Sequence, residues 1–60
     1  MKTYLEFQGV DKNLIYDEIE CPPIPEGTLI SCPRVAGARI VSQWIYVDIN
    51  DEVKQRLIAK

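Results

Sequence analysis

The segment Ala38–Ile49 constrains this chain most. It is dense in Ile, Val, Trp and Tyr and holds neither Gly nor Pro, the composition of a β-strand. Strand alternation sets Val41, Ile45, Val47 and Ile49 on one face and Ile40, Trp44 and Tyr46 on the other. A strand that is apolar on both sides needs cover on both sides, from its own chain or from another.

The chain has little material for that cover. Sixty residues make a single small domain over residues 1–60, which buries only about 60% of the surface exposed when unfolded. A core of this size supplies roughly 3–5 kcal/mol, and domains this small commonly add a metal, a disulfide or a partner subunit.

Metal and disulfide both read poorly. There is no His, and the two cysteines are Cys21 and Cys32, far from the paired spacing of a four-ligand zinc site. Asp48, Asn50 and Glu52 alternate, but no Gly follows to turn a calcium loop. If Leu14–Cys21 and Thr28–Cys32 form a hairpin, Cys21 lies opposite Thr28 and Cys32 opposite Asp17. The thiols are then ~13 Å apart, beyond disulfide reach. Two reduced thiols suit a cytoplasmic protein. The start, Met-Lys-Thr-Tyr-Leu-Glu, carries no apolar signal run, and no stretch reaches the length of a membrane span. Self-association remains as the expected stabiliser.

Around the central segment the remaining elements follow from local chemistry. Lys2–Gln8 alternates, with Thr3, Leu5 and Phe7 on one face and Tyr4 and Glu6 on the other, as in a half-buried strand. Gly9 to Asn13 is rich in turn formers. Leu14–Cys21 admits two readings. Asp11 or Asn13 could cap a helix, but Asp17, Glu18 and Glu20 would crowd its negative end. Ile15, Tyr16 and Ile19 prefer a strand. Pro22, Pro23 and Pro25 force an extended connection, and Gly27 permits a turn into a short strand, Thr28–Cys32, ended by Pro33. After the long strand, Asn50 reads as an N-cap. Asp51 and Glu52 suit a first helical turn, and Lys54, Arg56 and Lys60 suit the later ones. Val53, Leu57 and Ile58 then form the apolar stripe of a short helix that must pack on the sheet. The expected fold is α+β: about four antiparallel β-strands with a short C-terminal helix packed on one face.

Catalysis reads poorly in the same residues. No His is present to act near neutral pH, and Ser31, Ser42, Cys21 and Cys32 have no base nearby in sequence. Asp17 and Glu18 point to opposite strand faces, and Gly9, Gly27 and Gly37 stand apart rather than forming a phosphate loop. No enzyme activity and no cofactor are expected. The P-x-x-P spacing of Pro22-Pro23-Ile24-Pro25 reads as a rigid connection rather than a docking motif.

The aromatic residues are the informative feature. Tyr4, Tyr16, Trp44 and Tyr46 all point away from their aliphatic neighbours on a strand reading, and they are taken to converge on one sheet face together with Ile40. A single terminal helix covers only one face. The aromatic face then meets a second copy, a protein partner or stacked bases, or curls into the domain's own core.

Charge helps to choose. Net charge is −2. Residues 1–27 hold two cations against six carboxylates, a balance of −4, and residues 28–60 hold five against three, a balance of +2. Base-stacking platforms sit in a positive field, whereas Glu6, Glu18 and Glu20 accompany Tyr4 and Tyr16. The sequence therefore points to a small non-enzymatic protein-binding module, an accessory or inhibitor subunit or a homodimer. Tyr4, Tyr16, Trp44, Tyr46 and Ile40 are the contact residues. The alternatives are a single-stranded nucleic-acid binder using the same rings with Arg34 and Arg39, and an acidic nucleic-acid mimic built on Glu6, Asp17, Glu18 and Glu20. A membrane partner is not expected.

Overall fold

The computed structural model describes residues 1–9 and 14–60. It holds five strands: β1 (Lys2–Phe7), β2 (Leu14–Glu20), β3 (Leu29–Cys32), β4 (Val35–Val47) and β5 (Val53–Ala59). They form one sheet in the order β2-β1-β5-β4-β3. β1 and β5 are parallel, and the other neighbouring pairs are antiparallel. The fold is therefore all-β and mixed, which corrects the α+β expectation. The turn expected from Gly9 to Asn13 lies, beyond Gly9, outside the described residues. Among the described residues no helix is long and apolar enough to cross a membrane.

The expected C-terminal helix is strand β5, because the residues that read as a helix start build a turn instead. Asp48 Oδ1 accepts the amides of Asn50 and Glu52 at 2.8 and 3.0 Å. Asp51 takes a left-handed φ of 60°, a conformation that Asp tolerates better than most residues. The chain reverses there, and β5 runs back along β4 with Val47 opposite Val53 and Val41 opposite Ala59. The hairpin satisfies the backbone of a long apolar strand that a ten-residue helix could not pair.

Alternation along β5 then fixes two faces. Gln55, Leu57 and Ala59 are buried on the inner face. They pair with Thr3, Leu5 and Phe7 of β1 on one side and with Ile45, Gln43 and Val41 of β4 on the other. The core gathers on this side around Phe7, Val35 and Ala59, with Leu5, Leu14, Tyr16, Ile30 and Cys32 packed against it. The sheet curls toward it so far that its two edge strands meet: Tyr16 Oη of β2 lies 3.5 Å from Cys32 Sγ of β3.

The β2–β3 hairpin on which the thiol spacing was reckoned does not form, since these strands sit at opposite ends of the sheet order. Residues 21–28 instead strap across the inner face. Gln55, fully buried, fastens the strap. Its Nε2 donates to Pro22 O and to Thr3 Oγ1, each at 2.9 Å, and its Oε1 accepts from Ile24 N at 3.1 Å and from Gln43 Nε2 at 3.3 Å. A buried amide is stable only when its donors and acceptors are matched in this way. Both cysteines are free thiols.

Candidate functional site

Outer-face positions follow directly from the register. Arg56 of β5 sits between Tyr4 of β1 and Trp44 of β4. One row on, Lys54 sits between Lys2 and Tyr46. In the opposite direction Ile58 lies between Glu6 and Ser42, and Ile40 pairs with Leu29 near the β3 edge. Ile58 and Glu6, at one end of this face, are buried. Trp44 is 52% exposed and Tyr46 43%, and Ile40 and Leu29 are also exposed.

Tyr4, Asp17, Trp44, Tyr46 and Arg56 line an open groove of about 490 Å³. A second groove, about 480 Å³, continues past Arg56 and Ile58 to Gln8 and Lys60. The Arg56 guanidinium lies 5.2 Å from the Tyr4 ring centre, within the range of a cation–π contact. The Tyr4 hydroxyl donates to Glu6 Oε1 at 2.7 Å. That bond pushes the Tyr4 phenol above its ordinary value, with burial adding to it. It also holds the Glu6 carboxyl below its usual range, helped by Gln8 Nε2.

Much of the charge on this face is already spoken for. Lys54 Nζ pairs with Asp48 at 3.0 Å and Glu18 at 3.9 Å, and Lys2 with Glu52 at 3.6 Å. Glu20 receives the N-terminal ammonium at 3.0 Å. Arg56 has no ion-pair partner among the described residues and faces the groove between aromatic rings.

Three of the four aromatic residues therefore converge as the sequence suggests, and Ile40 shares their face. Tyr16 does not. Asp17 and Glu18 of β2 together oppose Tyr4 alone, because Thr3 pairs with Ile19 and Leu5 with Tyr16. The extra residue is a β-bulge, with Glu18 at φ 55°, and it reverses the alternation that follows it. Tyr16 joins Ile19 on the inner face, edge-on to Phe7 at 6.5 Å between ring centres, and Ile15 turns outward. A clue is present in the sequence, since strict alternation would bury Asp17 between Ile15 and Ile19. Arg56 and Lys54, which the helix reading kept off the sheet, are the site residues that sequence reasoning missed.

The inner face carries a third groove, apolar and about 300 Å³, bounded by Tyr16, Ile19, Cys21, Ile24, Cys32 and Pro33 among others. Here the Tyr16 hydroxyl, and then the Arg34 backbone, hold the Cys32 thiol below its ordinary value against the opposing effect of burial. Among the described residues no group of His, Cys, Asp and Glu is placed to hold a metal ion. Compared with protein-family models, curated proteins and solved structures, the chain matches none.

Proposed function

We propose that this chain is a protein-binding module whose contact surface is the outer face of the sheet, centred on Tyr4, Arg56, Trp44 and Tyr46. One observation carries the reading: two large aromatic side chains, Trp44 and Tyr46, stand half exposed beside an arginine on the outer face of the sheet. Trp, Tyr and Arg are the residues that dominate protein interfaces, because they bury much area at modest entropic cost and still satisfy a polar tip. The paired charges around the grooves give such a surface a mixed polar rim rather than a field of one sign.

The second reading, a single-stranded nucleic-acid platform, gains from Arg56 lying between Tyr4 and Trp44, where bases could stack. It loses from the engagement of Lys2 and Lys54 by carboxylates, which leaves few cations for phosphates.

Capture experiments separate the two. Immobilised wild-type protein and Trp44→Ala are exposed to extract of the native source and to labelled single-stranded oligonucleotides. A protein retained by the wild type and lost with Trp44→Ala supports the module. Oligonucleotide binding that falls steeply with salt, with no protein retained, replaces it with the second reading.

A further inference from the structure

The outer face ends at a strand edge that is open along part of β4. Val41 donates its amide to Thr28 O at 2.9 Å and accepts from Gly27 N at 2.8 Å, on the β3 side. Ile40 O, by contrast, accepts from Lys60 N on the β5 side. Backbone groups alternate along a strand, so odd-numbered residues of β4 face the β3 side and even-numbered ones face β5. The β3 side runs out early. Beyond Val41, among the described residues, only the Glu26 side chain bonds to this edge, where its carboxylate takes the Gln43 amide at 2.6 Å. The amide and carbonyl groups of Ile45 and Val47 meet no partner among the described residues.

Side chains make this edge adhesive as well as open. Ile45 is 56% exposed and Val47 61% on the inner side, and Trp44 and Tyr46 flank them on the outer side. No Lys, Glu, Asp or Pro interrupts Ile40–Val47, although natural edges are usually blunted by such residues.

We propose that this edge pairs with the same edge of a second copy, antiparallel and two-fold, with Tyr46 at the axis. In this register Ile45 and Val47 of one copy exchange amide–carbonyl bonds with Val47 and Ile45 of the other. The two Tyr46 side chains become neighbours on the outer face, and the Gln43–Glu26 bond is left intact. A second copy is the occupant because the segment supplies its own complement: identical free groups fall opposite one another under a two-fold axis. The inference goes beyond the outer-face reading, because it places a contact at the β4 edge that shares only the neighbouring Trp44 and Tyr46 with that face. The contact is short, well below the ~1,200 Å² of a stable standard interface, so the dimer is weak and reversible.

The test is sedimentation equilibrium up to about 1 mM, close to −4 kcal/mol of binding, combined with amide exchange at low and high concentration. The expected result is a dimer at high concentration that is weakened at least tenfold by Ile45→Lys and by Val47→Lys, while Ser31→Ala, at an exposed position of β3 away from this edge, leaves it unchanged. Amide protection at Ile45 and Val47 should rise with concentration, while that at Trp44 and Tyr46, directed at β5, stays fixed. Both lysine variants place charge at exposed positions, and an unchanged thermal melt establishes that they fold. A wild-type monomer throughout overturns the edge inference and leaves the outer face to a foreign protein. A dimer indifferent to both lysine variants but lost in Tyr4→Ala also overturns it, while keeping the outer-face reading.

Discussion

The Tyr4 hydroxyl donates to Glu6 Oε1 at 2.7 Å, two residues along the same strand and on the same outer face. The carboxylate form of Glu6 and the protonated form of Tyr4 hold each other in place, which lowers one pKa and raises the other. In Glu6→Gln the Tyr4 phenol should therefore titrate at lower pH than in the wild type. The Tyr4 ring resonances, followed by NMR through alkaline pH, check this. An unchanged midpoint would mean that the bond does not persist in solution.

Asp48 should make the hairpin acid-sensitive. Its carboxyl is held below the ordinary range first by the Glu52 amide and then by Lys54. A depressed folded-state pKa contributes stability that is present above the unfolded value, ~3.9, and lost as pH falls through the folded one. Thermal melts of the wild type should thus decline in this acid window. Asp48→Asn retains an oxygen for the Asn50 and Glu52 amides but loses the charge, so its melting temperature should be lower near neutrality and its acid decline shallower. Lys54, raised chiefly by Asp48, contributes in the opposite window. Its share is present below the unfolded lysine pKa and is lost as pH rises through the folded one.

Gln55 should be the costliest polar side chain to remove. Gln55→Leu preserves volume but strips the partners from Pro22 O, Ile24 N, Thr3 Oγ1 and Gln43 Nε2. Leaving buried polar groups unpaired costs about 1–3 kcal/mol each, so a loss of about 2–4 kcal/mol is expected by urea denaturation, with water reaching some of the groups. A loss below about 0.5 kcal/mol, the level of ordinary surface substitutions, would show that the strap does not depend on this clamp.

Gln55 also explains part of what the sequence concealed. β2 admitted a helix as well as a strand, whereas β1, β3 and β4 were legible within a few residues, β1 from its alternation and β4 from its Val, Ile, Tyr and Trp. β5 was not. Its alternation is Gln55, Leu57, Ala59 against Lys54, Arg56, Ile58, and a buried Gln and a small Ala do not look like a core face. The same residues fit a helical stripe through Val53, Leu57 and Ile58, and Asn50, Asp51 and Glu52 serve a tight turn as readily as a helix start. Tertiary pairing with β1 and β4 decides the matter, and pairing is non-local. For the site, parity set Tyr4, Trp44 and Tyr46 away from their aliphatic neighbours, while their convergence, an assumption from sequence, comes from the β1–β5–β4 pairing. Tyr16 was misplaced because the bulge at Asp17 and Glu18 changes parity within one strand.

Cys32 offers a probe of the curl that brings β2 to β3. The Tyr16 hydroxyl is the main cause of its lowered pKa, so Tyr16→Phe should raise the pH midpoint for alkylation of Cys32. A Cys21→Ser background isolates the signal. An identical midpoint in both proteins would mean that the two sheet edges do not meet through this contact.

The most direct measurement of the outer-face account is site-specific photocrosslinking in extract of the native source. Benzoylphenylalanine is placed at Trp44 or Tyr46 on the outer face, or at the exposed Ser31 of β3. The account predicts covalent protein adducts, with this chain or another, from positions 44 and 46 and none from 31. Adducts from 31 alone, or nucleic-acid adducts in place of protein at 44 and 46, would contradict it.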